Sequence, residues 1–488
     1  MNSGGISLHH AQKLEEAKEL LDRGVITQEE FQEIKDEYLE HKEDINPPTE
    51  DKEDINPPTE LYAYHATSSF ANDTALPYLS YFAVRLGASF EQIAWMTSMM
   101  NLIPNALQYF WGWISDKKLI RTYWIIGGSI LASLALYQLS KVQTPDEMIV
   151  LVVVYSVALS IIIPTWSALQ GDWMNPSKRG STLSRFNVIG GLAGLVGSLI
   201  AVYVIYVNEA DSPDSFRLLF VLAAFATFLG GLILIRVPYR DPTKTPDLIL
   251  TETAKKEYSD TFQSYVRAQA FYVLNMSMLW PLFAMILIKV LEVDNMVLVA
   301  FSLIGAMSEM AFQPIMGRLV DRVGPLPVLI MSRIGFAILP FIYAFFPDIR
   351  VMLALQVVIL GPCFSAFLIT TNAMVLDLAP NKERAAYFSY YNTRVGITAC
   401  IGALTGGYIA GYLDDFSGPI YLIDRLMDFS PIRQDSGTWR AIFIVFLLSG
   451  IGRSIGTIPF LRLKMPKKYP GSIHFVDRLM EFRMFRRR

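Results

Sequence analysis

Gly112-Trp113-Ile114-Ser115-Asp116-Lys117 is answered 205 residues later by Gly317-Arg318-Leu319-Val320-Asp321-Arg322-Val323-Gly324. The same offset superposes Gln108 on Gln313, Asp172 on Asp377, Arg179 on Arg384, Asn187 on Asn392 and Gly191 on Gly396. Matches at one fixed spacing, without a gap, mark a duplicated unit.

Composition says what kind of unit it is. Of the 488 residues, 52% are hydrophobic and 18% charged, against roughly 45–50% and about 25% in a soluble protein. The excess is concentrated in twelve apolar runs near 62–84, 92–113, 121–140, 148–169, 183–206, 216–236, 264–288, 295–316, 326–346, 351–375, 386–412 and 439–461. Runs of about 20 residues match the hydrocarbon core of a bilayer. A soluble fold would need a dozen helices buried all round, which excludes it. The expectation is an all-α, polytopic membrane protein with twelve transmembrane helices in two six-helix, pseudo-symmetric halves.

An even number of spans places both ends on one side. The short loops at 114–121, 171–185 and 376–385 carry Lys117, Lys118, Arg121, Lys178, Arg179, Arg185, Lys382 and Arg384, and the central linker adds Arg236, Arg240, Lys244, Lys255 and Lys256. The alternating loops at 85–91, 141–147, 207–215 and 289–294 hold only Arg85, Lys141 and Lys289 and are rich in Asp and Glu. The positive-inside rule then predicts a multi-pass protein of the cell membrane with both termini in the cytoplasm.

The two opening segments resemble the loop motif between the second and third helices of each half in the major facilitator superfamily. The copy Gly317, Asp321, Arg322 and Gly324 is close. The copy Gly112, Asp116 and Lys117 departs, with Lys117 in place of Arg and Leu119 in place of Gly. Asp172 with Arg179, and Asp377 with Arg384, resemble the acidic-x6-Arg pairs that follow the fourth and tenth helices. The resemblance covers about residues 62–465 and implies alternating access, with these residues as a cytoplasmic gate. In physical terms, Gly112 and Gly317 allow close approach of helix ends. The carboxylates can pair with arginines as latches costing a few kcal/mol to break, or simply fix topology and packing. The Gly-Pro pair of the superfamily's antiporter motif in the fifth helix is absent.

Outside the halves (61–236 and 263–465) lie four shorter stretches. Residues 1–40 read as a helical hairpin with a capping box at Thr27-Gln28-Glu29-Glu30. Leu14 through Phe31 resemble the SHOCT domain, a small module suited to self-association. Residues 41–60 are a Pro-rich tandem repeat, read as a spacer. Residues 237–262 form a central linker and 466–488 a basic amphipathic tail suited to anionic lipid. Ile420–Phe429 and Ile473–Phe482 resemble one another and read as helices lying in the membrane interface. No cleavable signal peptide is expected, since the first residues form a charged helical segment.

Ionisable groups deep in a span are costly and draw attention. Asp73 lies near the middle of the first span in Phe70-Ala71-Asn72-Asp73-Thr74-Ala75-Leu76-Pro77, where Pro77 can loosen the helix. It reads as a proton-coupling or substrate site, a structural hydrogen-bonding residue, or a residue near a helix boundary. The superfamily resemblance implies the first, since proton-coupled members often carry an acid in helix 1. Arg394 can hold an anion or pair with a carboxylate, with Glu309 as a possible partner. Asn72, Asn275, Trp280 and Trp166 are candidates to line a cavity, packing or lipid contact being the alternative for both tryptophans. Arg267 and Arg333 are close enough to the cytoplasmic edge to snorkel. Gly190, Gly191, Gly194, Gly197, Gly396, Gly402, Gly406, Gly407 and Gly411 predict close helix packing.

The expected function is a secondary active transporter of a small solute, proton-coupled through Asp73. The alternative is a transport-silent sensor or scaffold assembled through the hairpin. Net charge of −3 suggests no nucleic-acid partner. No catalytic constellation, nucleotide-binding loop or cofactor motif stands out, and two cysteines inside apolar runs, Cys363 and Cys400, suggest neither disulfide nor metal. Expected partners are the solute, protons, the lipid bilayer and a second copy of the hairpin.

Overall fold

The computed structural model describes residues 57–117, 121–173, 179–208, 212–238, 252–379, 384–416, 418–429 and 437–463. The hairpin, most of the tandem repeat and the tail with its second interfacial helix lie outside them. Ten of the described helices are long and apolar enough to cross a membrane by length and composition. The other two expected spans are helical as well, and each falls short for a physical reason.

The first is broken. Helix α1 (Thr59–Ala75) gives way to a 3-10 turn at Leu76–Tyr78 and resumes as α2 (Leu79–Arg85). Pro77 has no amide hydrogen to donate, so the α-helical ladder fails there. The second, α3 (Phe90–Lys117), is continuous, and Asn101, Asn105 and Gln108 lower its hydropathy. Then follow α4 (Arg121–Leu139), α5 (Pro145–Asp172), α6 (Arg179–Asn208) and α7 (Asp214–Ile233).

The second half begins with α8 (Glu252–Ser277), so the last residues assigned to the central linker are already helical. This span also breaks beside a proline, Pro281, before α9 (Leu282–Met285) and a π-helical segment at Ile286–Val290. Pro77 and Pro281 stand almost one repeat apart, so both halves interrupt their first span at matched depth. The rest comprises α10 (Asn295–Val323), α11 (Pro325–Phe345), α12 (Ile349–Leu355) with a π segment at Gln356–Leu360, α13 (Gly361–Leu378) and α14 (Arg384–Asp415). The loop helix α15 (Tyr421–Met427) precedes the last span, α16 (Gly437–Thr457). Tyr421, Leu422 and Phe429 are exposed around α15, which suits a helix lying at an interface.

The helix pairings repeat with the sequence. In the first half α1 packs on α6 and α7, α5 on α3 and α4, and α4 on α7. In the second half α8 packs on α14 and α16, α13 on α10 and α11, and α11 on α16. These are the same contacts moved by one repeat. The halves meet along two seams, α3 with α14 and α6 with α10, which exchange under the same operation.

Glycine allows these approaches. A Cβ at Gly402 would run into the Leu274 carbonyl, and one at Gly406 into the backbone of Met278. A Cβ at Gly407 would meet Ala94 across the α3–α14 seam. With no hydrophobic drive between helices in lipid, backbone-to-backbone packing supplies the association energy.

Candidate functional site

Asp73 projects from α1 two residues before that helix ends, and α6 forms the wall it faces. Cβ atoms at Gly190, Gly194 and Gly197 would land on His65 and Ser69, on the Asp73 carboxylate, and on Thr74 and the Phe70 carbonyl respectively. The glycine stripe of α6 is therefore a trough filled by the polar face of α1. The next residue round the helix, Gly191, looks the other way, 3.8 Å from Met310 Sδ of α10 where a Cβ would stand. Glu309 precedes Met310 on α10. Both carboxylates are half-buried. Asp73 of the first half and Glu309 of the second thus both lie by the α6–α10 seam, Asp73 against Gly194 and Glu309 next to the Met310 that meets Gly191. Gly194→Ala should displace Asp73 from this wall. We expect a transport loss of about tenfold or more with the fold retained, read in proteoliposomes, because small misplacements of a reacting group are costly.

The structure distributes the other expected residues differently. Asn72 accepts a hydrogen bond from the Tyr155 hydroxyl at 3.4 Å. Trp166 stacks on His65, ring centroids 5.8 Å apart, and tilts against Tyr64 at 4.7 Å. Arg394 makes no ion pair with Glu309. It is exposed and lies over the Tyr390 ring, 5.0 Å from its centroid, because Glu309 sits on the other seam. Asn275 does not line the seam. It is buried against Gly452 of α16 and donates to the Phe271 carbonyl at 2.8 Å. Trp280 lines a cavity inside the second half.

Arg333 does not snorkel. It is fully buried, stacked on Tyr272 and Phe367 at 4.5 and 4.8 Å, and donates to Gln269 at 2.8 Å. The aromatic faces hold the guanidinium inside the bundle, which hydropathy alone does not reveal.

Of the gate motif, the surroundings of Gly112 and the side chains of Asp116, Lys117, Arg179 and Arg384 lie outside what is described. Asp172 is buried and pairs with Arg121, which also donates to the Ala168 carbonyl at 3.3 Å. In the sequence Arg121 is marked only as a loop charge. Asp377 is half-buried. Gly317 does not serve close approach, since a Cβ there meets nothing within 4 Å. Gly324 has φ of +88° at the turn into α11, a conformation that requires glycine. Asp321 and Arg322 are exposed, and neither makes an ion pair among the described residues.

The halves are latched at the opposite end by residues that sequence reasoning missed. Arg85, at the end of α2, donates to Asn295 Oδ1 at 2.9 Å and to the Val293 carbonyl at 2.8 Å. Asn295 in turn donates to the Ser212 carbonyl at 3.2 Å. In the sequence Arg85 is marked only as one of three cations in an acidic set of loops. Arg85→Ala should open this face. Cysteine labelling at Glu292 would then accelerate several-fold, and an unchanged rate would refute the latch.

Along the α3–α14 seam, Asn392 donates to Gln108 at 3.0 Å. The repeat equivalents Asn187 and Gln313 are exposed and make no such bond with each other. The two seams are thus related by symmetry and unequal in bonding.

Two linked bundles of six spans, duplicated in sequence and in contacts, define a multi-pass membrane protein of the secondary-transporter class. The chain belongs to the Major Facilitator Superfamily, whose model matches residues 61–288 and 266–477. Residues 12–43 match the SHOCT short C-terminal domain. Among solved structures, the nucleoside transporter NupG superposes with a TM-score of 0.62 at 14% identity, over 83% of this chain and 99% of that one. A bacterial homologue of the human lysosomal transporter Spinster, in an inward-facing and unoccupied conformation, gives 0.59 at 14% identity, over 84% and 98%. The class H tetracycline resistance protein of Pasteurella multocida is 32% identical over 104 residues. That match spans 21% of this chain and about a quarter of the relative, 26% of its length.

Proposed function

We propose that this protein moves a small solute by alternating access, with Asp73 and Glu309 as a proton-coupling pair. The observation that supports the reading is the half-buried Asp73 carboxylate seated against Gly194 of α6, with the half-buried Glu309 of the other half next to Met310 on the same seam. A charge change there alters the energy of bringing the halves together, which is what a coupling site must do. The loop charges support an orientation with both termini in the cytoplasm. In that frame the Arg85 latch lies at the external face.

The test has two stages. A thermal-shift screen of the purified protein against metabolite and drug panels identifies a solute, since ligands stabilise by mass action. Flux of that solute in proteoliposomes is then measured with and without an imposed pH gradient. Flux that ignores the gradient refutes proton coupling, and a protein that carries no solute at all supports the scaffold reading. The SHOCT match at residues 12–43 favours that second reading.

A further inference from the structure

Arg453 of α16 is 4% exposed, and its guanidinium donates to two carbonyls, Phe336 at 2.9 Å and Met276 at 3.0 Å. No carboxylate pairs with it among the described residues, nor with its neighbour Arg333. Two buried cations in one half-bundle, without a counter-charge, are an expensive arrangement within a membrane. Beside Arg453 lies a cavity of about 220 Å³. Three buried polar atoms without a hydrogen-bond partner belong to residues that line it: Arg453 Nε, the Tyr343 hydroxyl and Gln356 Oε1. Polar atoms this deep are normally satisfied, and three left open around one space indicate an occupant.

The remaining wall restricts what the occupant is. Trp280, Phe336 and Phe364 supply aromatic faces, and all the lining residues except Tyr81 belong to the second half. The π segment at Gln356–Leu360 turns both of its end residues into the lining, and such segments recur at functional sites. The Gln356 amide nitrogen is held against Gly305, where a Cβ would displace it. Neither Asp73 nor Glu309 lines the space.

We propose that this cavity binds a small organic anion: a carboxylate head on Arg453 and Tyr343, an apolar or aromatic body against Trp280, Phe336 and Phe364. The anion supplies the counter-charge that the protein itself does not, and Gln356 accepts from any donor the body carries.

Benzoate and hexanoate, with benzamide as the neutral control, test the proposal by titration calorimetry on the purified full-length protein at pH 7. The carboxylates should bind and benzamide should not. Tyr343→Phe removes the open hydroxyl without changing the bulk, and should weaken carboxylate binding about tenfold. Arg453→Lys should weaken it further. Because Arg453 also holds two carbonyls, Tyr343→Phe is the decisive variant if the lysine variant does not fold. Asp73→Asn should leave benzoate affinity unchanged, which separates this site from the coupling reading. Absence of carboxylate binding, equal binding of benzamide, or an unaltered Tyr343→Phe affinity each overturns the proposal.

Discussion

Replacing Asp73 by Asn is expected to lower proton-driven flux by about 100-fold, the scale lost when a proton-transferring group is removed. Asparagine keeps the shape that fills the trough at Gly194 and removes the exchangeable proton. Solute binding should therefore survive, and so should solute-for-solute exchange across the vesicle membrane. Glu309→Gln should impair gradient-driven flux as well, because it removes the other half of the pair. A variant with Asn at 73 that retains the full response to a pH gradient would eliminate Asp73 as the coupling group. The acid would then be a structural residue packed on α6, one of the alternatives its sequence context leaves open.

Arg121→Ala should destabilise the protein by about 3–5 kcal/mol, the usual cost of stranding one member of a buried ion pair. The side chains of Arg121 and Asp172 are only 13% and 10% exposed, so water cannot take over the role of the lost guanidinium. Adding Asp172→Asn in the same chain should restore much of the stability, since no bare charge then remains. The pair ties the start of α4 to the end of α5. Reversible unfolding in detergent micelles measures both variants. A cost below about 1 kcal/mol for the single variant would mean that the pair is effectively solvated.

Much of the architecture was legible because its signals are local or periodic. Apolar run length gives spans, loop cations give topology, and a fixed offset gives the duplication. The glycines of α6 and α14 were readable as packing residues for the same reason. What they pack against was not. Nothing near Gly194 in the chain says that its partner is the carboxylate of Asp73, more than a hundred residues away. The expected pairing of Arg394 with Glu309 failed in the same way: both lie deep in spans, yet they belong to different seams. Arg333 reads in the sequence as a snorkelling residue because distance from the span end takes no account of the aromatic rings that enclose it, Tyr272 and Phe367.

The sequence by itself determined that this chain crosses a membrane many times, that its halves are copies, and that a carboxylate stands in mid-span beside a helix-weakening proline. Tertiary structure alone decided which charges meet, which end is latched, and where unsatisfied donors surround an open space. The physical reason is the range of the interactions. Hydrophobic transfer and helix geometry act within one turn or one span, while ion pairs, glycine contacts and cavities depend on segments brought together only when the helices pack.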